Sequence, residues 1–123
     1  MEKITNNEKF LIIKNIKSFI LGLEKILLTF PKKDLISRSL VYNDSLELLE
    51  LVVKANYENN IDLKHNYQIA ALAKINKIDF YLERAYKLKY ISEKQCLSKT
   101  GQLLKINKMI YVWCRNEKWP YSK

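Results

Sequence analysis

Glycine and proline are nearly missing from this chain of 123 residues, which has 2 of each. An all-β domain needs such residues for its many tight turns, so their scarcity argues against one. Gly22 and Gly101 stand alone, which excludes the glycine-rich loops that cradle phosphates. Histidine occurs once, as His65, and no Glu-x-x-His repeat is present, so the di-iron centres of helical bundles are excluded. Long apolar runs are also lacking. The stretch from Phe10 to Phe30 is interrupted by Lys14, Lys17, Glu24 and Lys25, and fits neither a secretory core nor a membrane span. Cysteine is limited to Cys96 and Cys114, 18 residues apart in one expected helix, about 27 Å at 1.5 Å per residue. They cannot bridge across that distance. With no disulfide framework and no export signal, the expected compartment is the cytoplasm.

What is present favours helix. Apolar residues make up 48% of the chain and charged residues 28%, a globular balance for one domain spanning 1–123. Ile13, Ile16, Ile20, Leu23, Leu27 and Phe30 alternate steps of three and four, the seam of a helix. Thr5 with Glu8 has capping-box spacing, and Pro31 ends the segment. Val41, Ser45, Leu48, Val52 and Ala55 repeat the rhythm, followed by a polar turn at Asn56 to Asn60. Ala71, Ile75, Ile78, Leu82 and Ala85 form a third stripe, entered through Asp62 as candidate N-cap. Ser92 with Gln95 opens a fourth, carried by Leu103, Ile106, Ile110 and Trp113. Helices are expected at about 6–29, 35–57, 63–89 and 93–116. Short connections make sequential helices antiparallel neighbours, so the fold class is all-α, an up-down-up-down four-helix bundle.

Charge is distributed unevenly. Residues 1–61 hold 9 Lys/Arg against 8 Asp/Glu, whereas residues 62–123 hold 13 against 5. A half-chain this basic suits a polyanionic partner. Lys74, Lys77, Tyr81 and Arg84 share one face of the third helix. Lys105, Lys108 and Arg115 repeat the pattern on the fourth, with Tyr111 on the adjacent surface. Cations beside aromatic rings suit nucleic acid, where Lys and Arg meet phosphate and a ring stacks on an exposed base. An ordinary solvated face is the competing reading of either stripe. On the other flank of the third helix, Asp79 and Glu83 stand one turn apart, which suits a protein contact in a ring of copies or local pairing of Glu83 with Lys87. The core seams carry no convergent acids or histidines, and no histidine neighbours either cysteine in sequence. His65, three residues after Asp62, fits a solvated helix start. No enzyme activity, metal site or cofactor is expected.

Several ordered stretches resemble the Avd-like four-helix-bundle proteins, the accessory variability determinants of diversity-generating retroelements. They are Phe30-Pro31-Lys32; Leu48-Leu49-Glu50-Leu51-Val52-Val53-Lys54-Ala55-Asn56; Glu83-Arg84-Ala85-Tyr86-Lys87-Leu88-Lys89-Tyr90-Ile91-Ser92-Glu93-Lys94-Gln95; and Ile106-Asn107-Lys108-Met109-Ile110-Tyr111-Val112-Trp113. The resemblance covers nearly the whole chain. It implies a basic homopentameric barrel of bundles without catalytic activity, associated with a reverse transcriptase and its RNA template in mutagenic cDNA synthesis. Similar bundles are encoded within intervening sequences of large-subunit ribosomal RNA genes. Members often carry arginines where this chain has Asp79 and Glu83, and a glycine pair where it has Tyr111 and Val112. The partner contact attributed to those arginines therefore does not carry over. The expected function is a non-catalytic oligomeric accessory that binds RNA or DNA and a reverse transcriptase; the alternative is a structural interaction bundle that binds no nucleic acid.

Overall fold

A computed structural model describes residues 6–116. Four helices account for most of them: α1 (Asn6–Leu27), α2 (Leu35–Tyr57), α3 (Ile61–Lys87) and α4 (Glu93–Asn116), with a 3-10 turn at Lys32–Asp34 between the first two. No strand occurs among the described residues. Each helix packs on its two neighbours in the cyclic order α1, α2, α3, α4, and the α2–α3 contact is the most extensive. The result is a four-helix bundle with α1–α2 on one side and α3–α4 on the other.

The ends of the helices follow local hydrogen bonding. α1 stops at Leu27, short of the expected 29, because Thr29 and Phe30 donate to Ile26 and Leu27 in tighter i to i+3 bonds. The Thr29 hydroxyl also donates to the Ile26 carbonyl at 2.7 Å and to the Tyr90 carbonyl at 2.9 Å, tying this corner to the α3–α4 connection. α2 is capped by Asp34, whose carboxylate accepts from the Ser37 amide at 3.3 Å. α3 begins two residues earlier than expected, since its cap is Asn60, accepting from the Leu63 amide at 3.1 Å, and not Asp62. Asp62 lies in the first turn, where a carboxylate favours the positive end of the helix dipole. α3 ends with Tyr90 donating to Ala85 and Lys89 to Tyr86, which requires Lys89 at φ 66°, a left-handed conformation glycine usually supplies. Ser92 and Gln95 form a reciprocal capping box, at 2.9 and 3.1 Å. Thr5 and the Glu8 side chain lie outside the described residues, and with them the first capping pair.

The core stripes of α2, α3 and α4 are buried as the sequence pattern predicts. That of α1 is buried at Ile16, Ile20, Leu23, Leu27 and Phe30 as expected and is wider than the pattern, since Ile12, Phe19 and Ile26 are buried too and Ile13 only partly. Burying each such large side chain contributes about 1.5–3 kcal/mol. The interior is also less uniformly apolar than the pattern suggests, because Asp44, Gln68 and Lys99 are buried in it.

Candidate nucleic-acid interface

The two cationic stripes occupy different environments. On α3, Lys74, Lys77, Tyr81 and Arg84 lie on the flank toward α2, with Lys77 exposed and the other three half-buried. The Lys74 ammonium lies 3.2 Å from Asp44 Oδ1 and also pairs with Glu47; Lys77 reaches Asp44 Oδ2 at 3.3 Å. Asp44 is only 4% exposed, so these lysines neutralise a carboxylate held inside the bundle. Hydrogen bonding to Glu47 raises the Lys74 pKa, opposed by burial and aided by Asp44. Arg84 Nη1 donates to the Ser37 hydroxyl at 2.6 Å and lies 3.3 Å from Asp34 Oδ2. Tyr81 is half-buried against the core, its ring edge-on to Phe80 at 5.6 Å between centroids.

Asp34 organises the end of this seam. Its carboxylate accepts from the Tyr90 hydroxyl at 2.7 Å as well as from Ser37 and Arg84. The Tyr90 and Ser37 bonds lead in holding its pKa down at about 2, against a smaller opposing effect of burial. The same contact raises the Tyr90 pKa.

On α4, Lys105, Lys108 and Arg115 are exposed and form no ion pair among the described residues. Tyr111, 53% exposed, stands between Lys108 and Arg115 on the outward face. Leu97 and Leu104 lie on that face too, both exposed. Helical geometry separates one pair of these cations: at 100° per residue, Lys74 projects about 40° from the core residue Ile78, whereas Lys108 projects about 160° from both Ile106 and Ile110. Arg84 and Lys105 hold the same place relative to their seams, each two residues after one core residue and one before the next, and differ because the turn before α2 offers Arg84 a carboxylate.

Asp79 and Glu83 sit on the flank of α3 that turns to α4. Asp79 lines a shallow groove of about 140 Å³ with Asn76, Leu104 and Asn107. Burial, and secondarily Glu83, raises its carboxyl pKa. Glu83 is exposed and makes no ion pair with Lys87 among the described residues.

Two features escaped the sequence reading. Lys99 occupies a core position of α4, 8% exposed, with its ammonium 5.7 Å from the centroid of the Phe19 ring. Gly22 makes room for it: a Cβ there would stand 2.1 Å from the Lys99 Nζ. Burial, then the charge of Lys25, lowers the Lys99 pKa. His65 is the other. Its Nδ1 lies 3.1 Å from Cys114 Sγ, so one thiol does have a histidine beside it, brought 49 residues along the chain by the antiparallel α3–α4 pairing. Cys96 and Cys114 are both buried and not joined in a disulfide among the described residues. No group of three potential metal ligands occurs among the described residues, and none of the described helices is long and apolar enough to cross a membrane.

No known protein-family profile matches this chain, and no curated protein does. Among solved structures, the chain is similar to a protein of unknown function from the S23 ribosomal protein family of Bacteroides thetaiotaomicron. The superposition has a TM-score of 0.81 at 15% identity and covers 88% of this chain and 98% of that one. At that identity the similarity establishes a shared helical fold.

Proposed function

We propose that this chain is a non-catalytic, basic accessory protein that binds nucleic acid and a reverse transcriptase, supporting cDNA synthesis in a diversity-generating or related retroelement. The observation that carries the nucleic-acid part is the outward face of α4, where Lys105, Lys108 and Arg115 flank an exposed Tyr111 without ion pairs among the described residues. Such a face meets phosphates through its cations and offers a ring for stacking. The resemblance to Avd-like proteins supplies the polymerase partner, and the family of the similar solved structure is named for a ribosomal protein.

A homopentameric ring is part of this reading. Exposed Phe10 and Leu21 share the outer face of α1 with Lys14 and Lys17, while exposed Ile69 and Phe80 share that of α3 with Glu83. Two different apolar faces on opposite sides, one basic and one bearing acid, suit a head-to-tail contact that closes into a ring. Leu11 and Leu46 remain exposed and available for contact, whereas Ile12 belongs to the core. Light scattering should return a multiple of the protomer mass; a monomer across the micromolar range rejects the ring.

The decisive binding experiment is RNA and DNA affinity as a function of salt, with slopes of about −0.7 to −0.9 per phosphate contact. Salt-independent or absent binding favours the second reading, a structural interaction bundle. That alternative draws support from α3, whose stripe is occupied by Asp34, Asp44 and Glu47. The polymerase part is tested by cDNA yield from the reverse transcriptase of a diversity-generating retroelement with and without this chain; an unchanged yield rejects it.

A further inference from the structure

On its α1 side, α4 borders a cavity of about 100 Å³ lined by Asn15 and Ser18 of α1 and by Gln102, Lys105 and Ile106 of α4. All of these but Ile106 are polar. The Gln102 side chain is half-buried, and its Oε1 is buried and accepts no hydrogen bond among the described residues. A buried acceptor without a donor costs free energy, so a donor entering the cavity gains a bond the folded chain leaves unmade. The terminal torsion of glutamine is broad, which lets the amide turn toward the cavity. Asn15 spends its amide on the Met109 thioether at 3.3 Å, a weak acceptor that a better one displaces.

Charge around the cavity is of one sign. Lys105 stands on its wall one turn from Gln102, exposed and without an ion pair among the described residues. Lys99 lies one turn to the other side of Gln102, 8% exposed against Gly22 of α1, and also has no carboxylate partner among the described residues. No described acidic residue lines the cavity. The fitting ligand brings a hydroxyl for Gln102 and an anion for Lys105, close together, since residues three apart on a helix have Cβ atoms about 5–6 Å apart. A ribonucleotide offers that pair, because its 2′-hydroxyl, both donor and acceptor, sits beside the 3′-phosphate. A deoxyribonucleotide offers the phosphate alone.

We propose that the α1–α4 cavity recognises the ribose 2′-hydroxyl, so that the basic face of α4 binds RNA in preference to DNA. This inference rests on the nucleic-acid reading above and names the polymer that reading leaves open. Lys105 holds the phosphate, Gln102 accepts from the 2′-hydroxyl, and the Ser18 hydroxyl on the facing wall donates to the same oxygen.

The test compares one single-stranded sequence made as RNA, DNA and 2′-fluoro RNA in filter binding to the full chain at constant salt. The fluoro strand keeps an RNA-like sugar and loses the donor. RNA should bind about three- to tenfold tighter than either other strand, the size of one hydrogen bond. Gln102→Leu should remove that preference by weakening RNA alone, while Lys105→Met should weaken all three strands together. Equal wild-type affinity for RNA and DNA, or for RNA and 2′-fluoro RNA, overturns the inference and leaves the nucleic-acid reading standing. An RNA preference unchanged in Gln102→Leu overturns it as well. Absence of salt-dependent binding to every strand overturns both. Should Gln102→Leu fail to fold, the 2′-fluoro strand decides with the wild-type chain alone: tighter RNA sustains the proposal and equal affinity overturns it.

Discussion

The cationic stripes of α3 and α4 have similar sequence spacing and opposite surroundings. Lys74, Lys77 and Arg84 reach carboxylates of α2 and of the turn before it, while Lys105, Lys108 and Arg115 have no such partner among the described residues. For Lys74 and Lys108 the difference follows the angle to the core of their own helix, whereas Arg84 and Lys105 share one angle and differ in the carboxylates set beside them. A periodic run of lysines identifies a face, and the acids of the adjacent element decide with its angle whether that face is paired. The positive charge of residues 62–123 is thus divided between holding α2 to α3 and remaining open on α4.

The largest expected effect breaks the comparison in binding. Changing Lys105, Lys108 and Arg115 together to Glu should lower RNA affinity by about two orders of magnitude and flatten the salt slope by about 2, as three phosphate contacts are lost. Thermal stability should change by no more than about 0.5 kcal/mol per site, since these are exposed residues without ion pairs among the described residues. Filter binding across a salt series measures both quantities. Unchanged affinity in the triple variant removes α4 as the interface.

The next effect tests the other side. Lys74→Met leaves the buried Asp44 paired with Lys77 alone among the described residues, which should destabilise the bundle by about 1–3 kcal/mol. RNA affinity measured below the transition should stay within about twofold. Denaturant unfolding beside a binding isotherm separates the two readouts. A large loss of affinity with unchanged stability would reverse the assignment of the stripes.

The core stripes of α2, α3 and α4 were legible in sequence because their apolar residues recur in steps of three and four. Only the start of the α1 seam was not, because Leu11, Ile12 and Ile13 are consecutive and apolar, so periodicity alone does not choose Ile12 over Ile13. Asn60 and Asp62 are two good capping residues two positions apart, and the chain geometry selected the first. The α3 stripe was visible as a face, but its pairing with Asp34, Asp44 and Glu47 depends on how α2 and the turn before it pack beside α3. The His65–Cys114 contact depends on the register of two helices, which no local pattern encodes. Lys99 reads as a surface residue in composition, yet its three-four spacing with Cys96 and Leu103 puts it on the core stripe.

Lys99 sharpens the comparison by giving α4 a cation on its inner side, without the carboxylate partners that Lys74 has. Lys99→Met removes a buried charge while keeping much of the side-chain volume, and should stabilise the bundle by about 1 kcal/mol at pH 7. Because the folded pKa of Lys99 is lowered, the unfolded chain binds the proton more tightly. The penalty is therefore present in full below the folded pKa and relieved as pH rises toward the ordinary lysine value of about 10.4. The advantage of Lys99→Met should shrink over that alkaline range, a trend thermal melts can follow. A variant less stable than the parent at pH 7 would show that the ammonium–Phe19 contact outweighs the burial cost.

The smallest effect concerns Asp34, the carboxylate at the Arg84 end of the α3 stripe. Hydrogen bonds from Tyr90 and Ser37, with a lesser contribution from Arg84, hold its pKa at about 2, below the ordinary 3.8. A carboxylate with a depressed folded pKa contributes stability that is complete above the unfolded value. That contribution is lost as pH falls through the window between the two. For Asp34 the window runs from about pH 4 down to about pH 2. Asp34→Asn keeps an oxygen for the Tyr90 hydroxyl and the Ser37 amide but loses the charge that Arg84 faces. The variant should be slightly less stable than the parent at neutral pH, and the two should converge as the parent becomes protonated, so the acid limb of the variant is flatter. The corresponding curve for Lys108→Ala on α4 should run parallel to the parent, because that lysine has no carboxylate partner among the described residues to report through. Urea unfolding between pH 2 and pH 5 distinguishes these outcomes. Parallel curves for Asp34→Asn as well would mean that Asp34 is not the residue coupling the α3 stripe to acid stability.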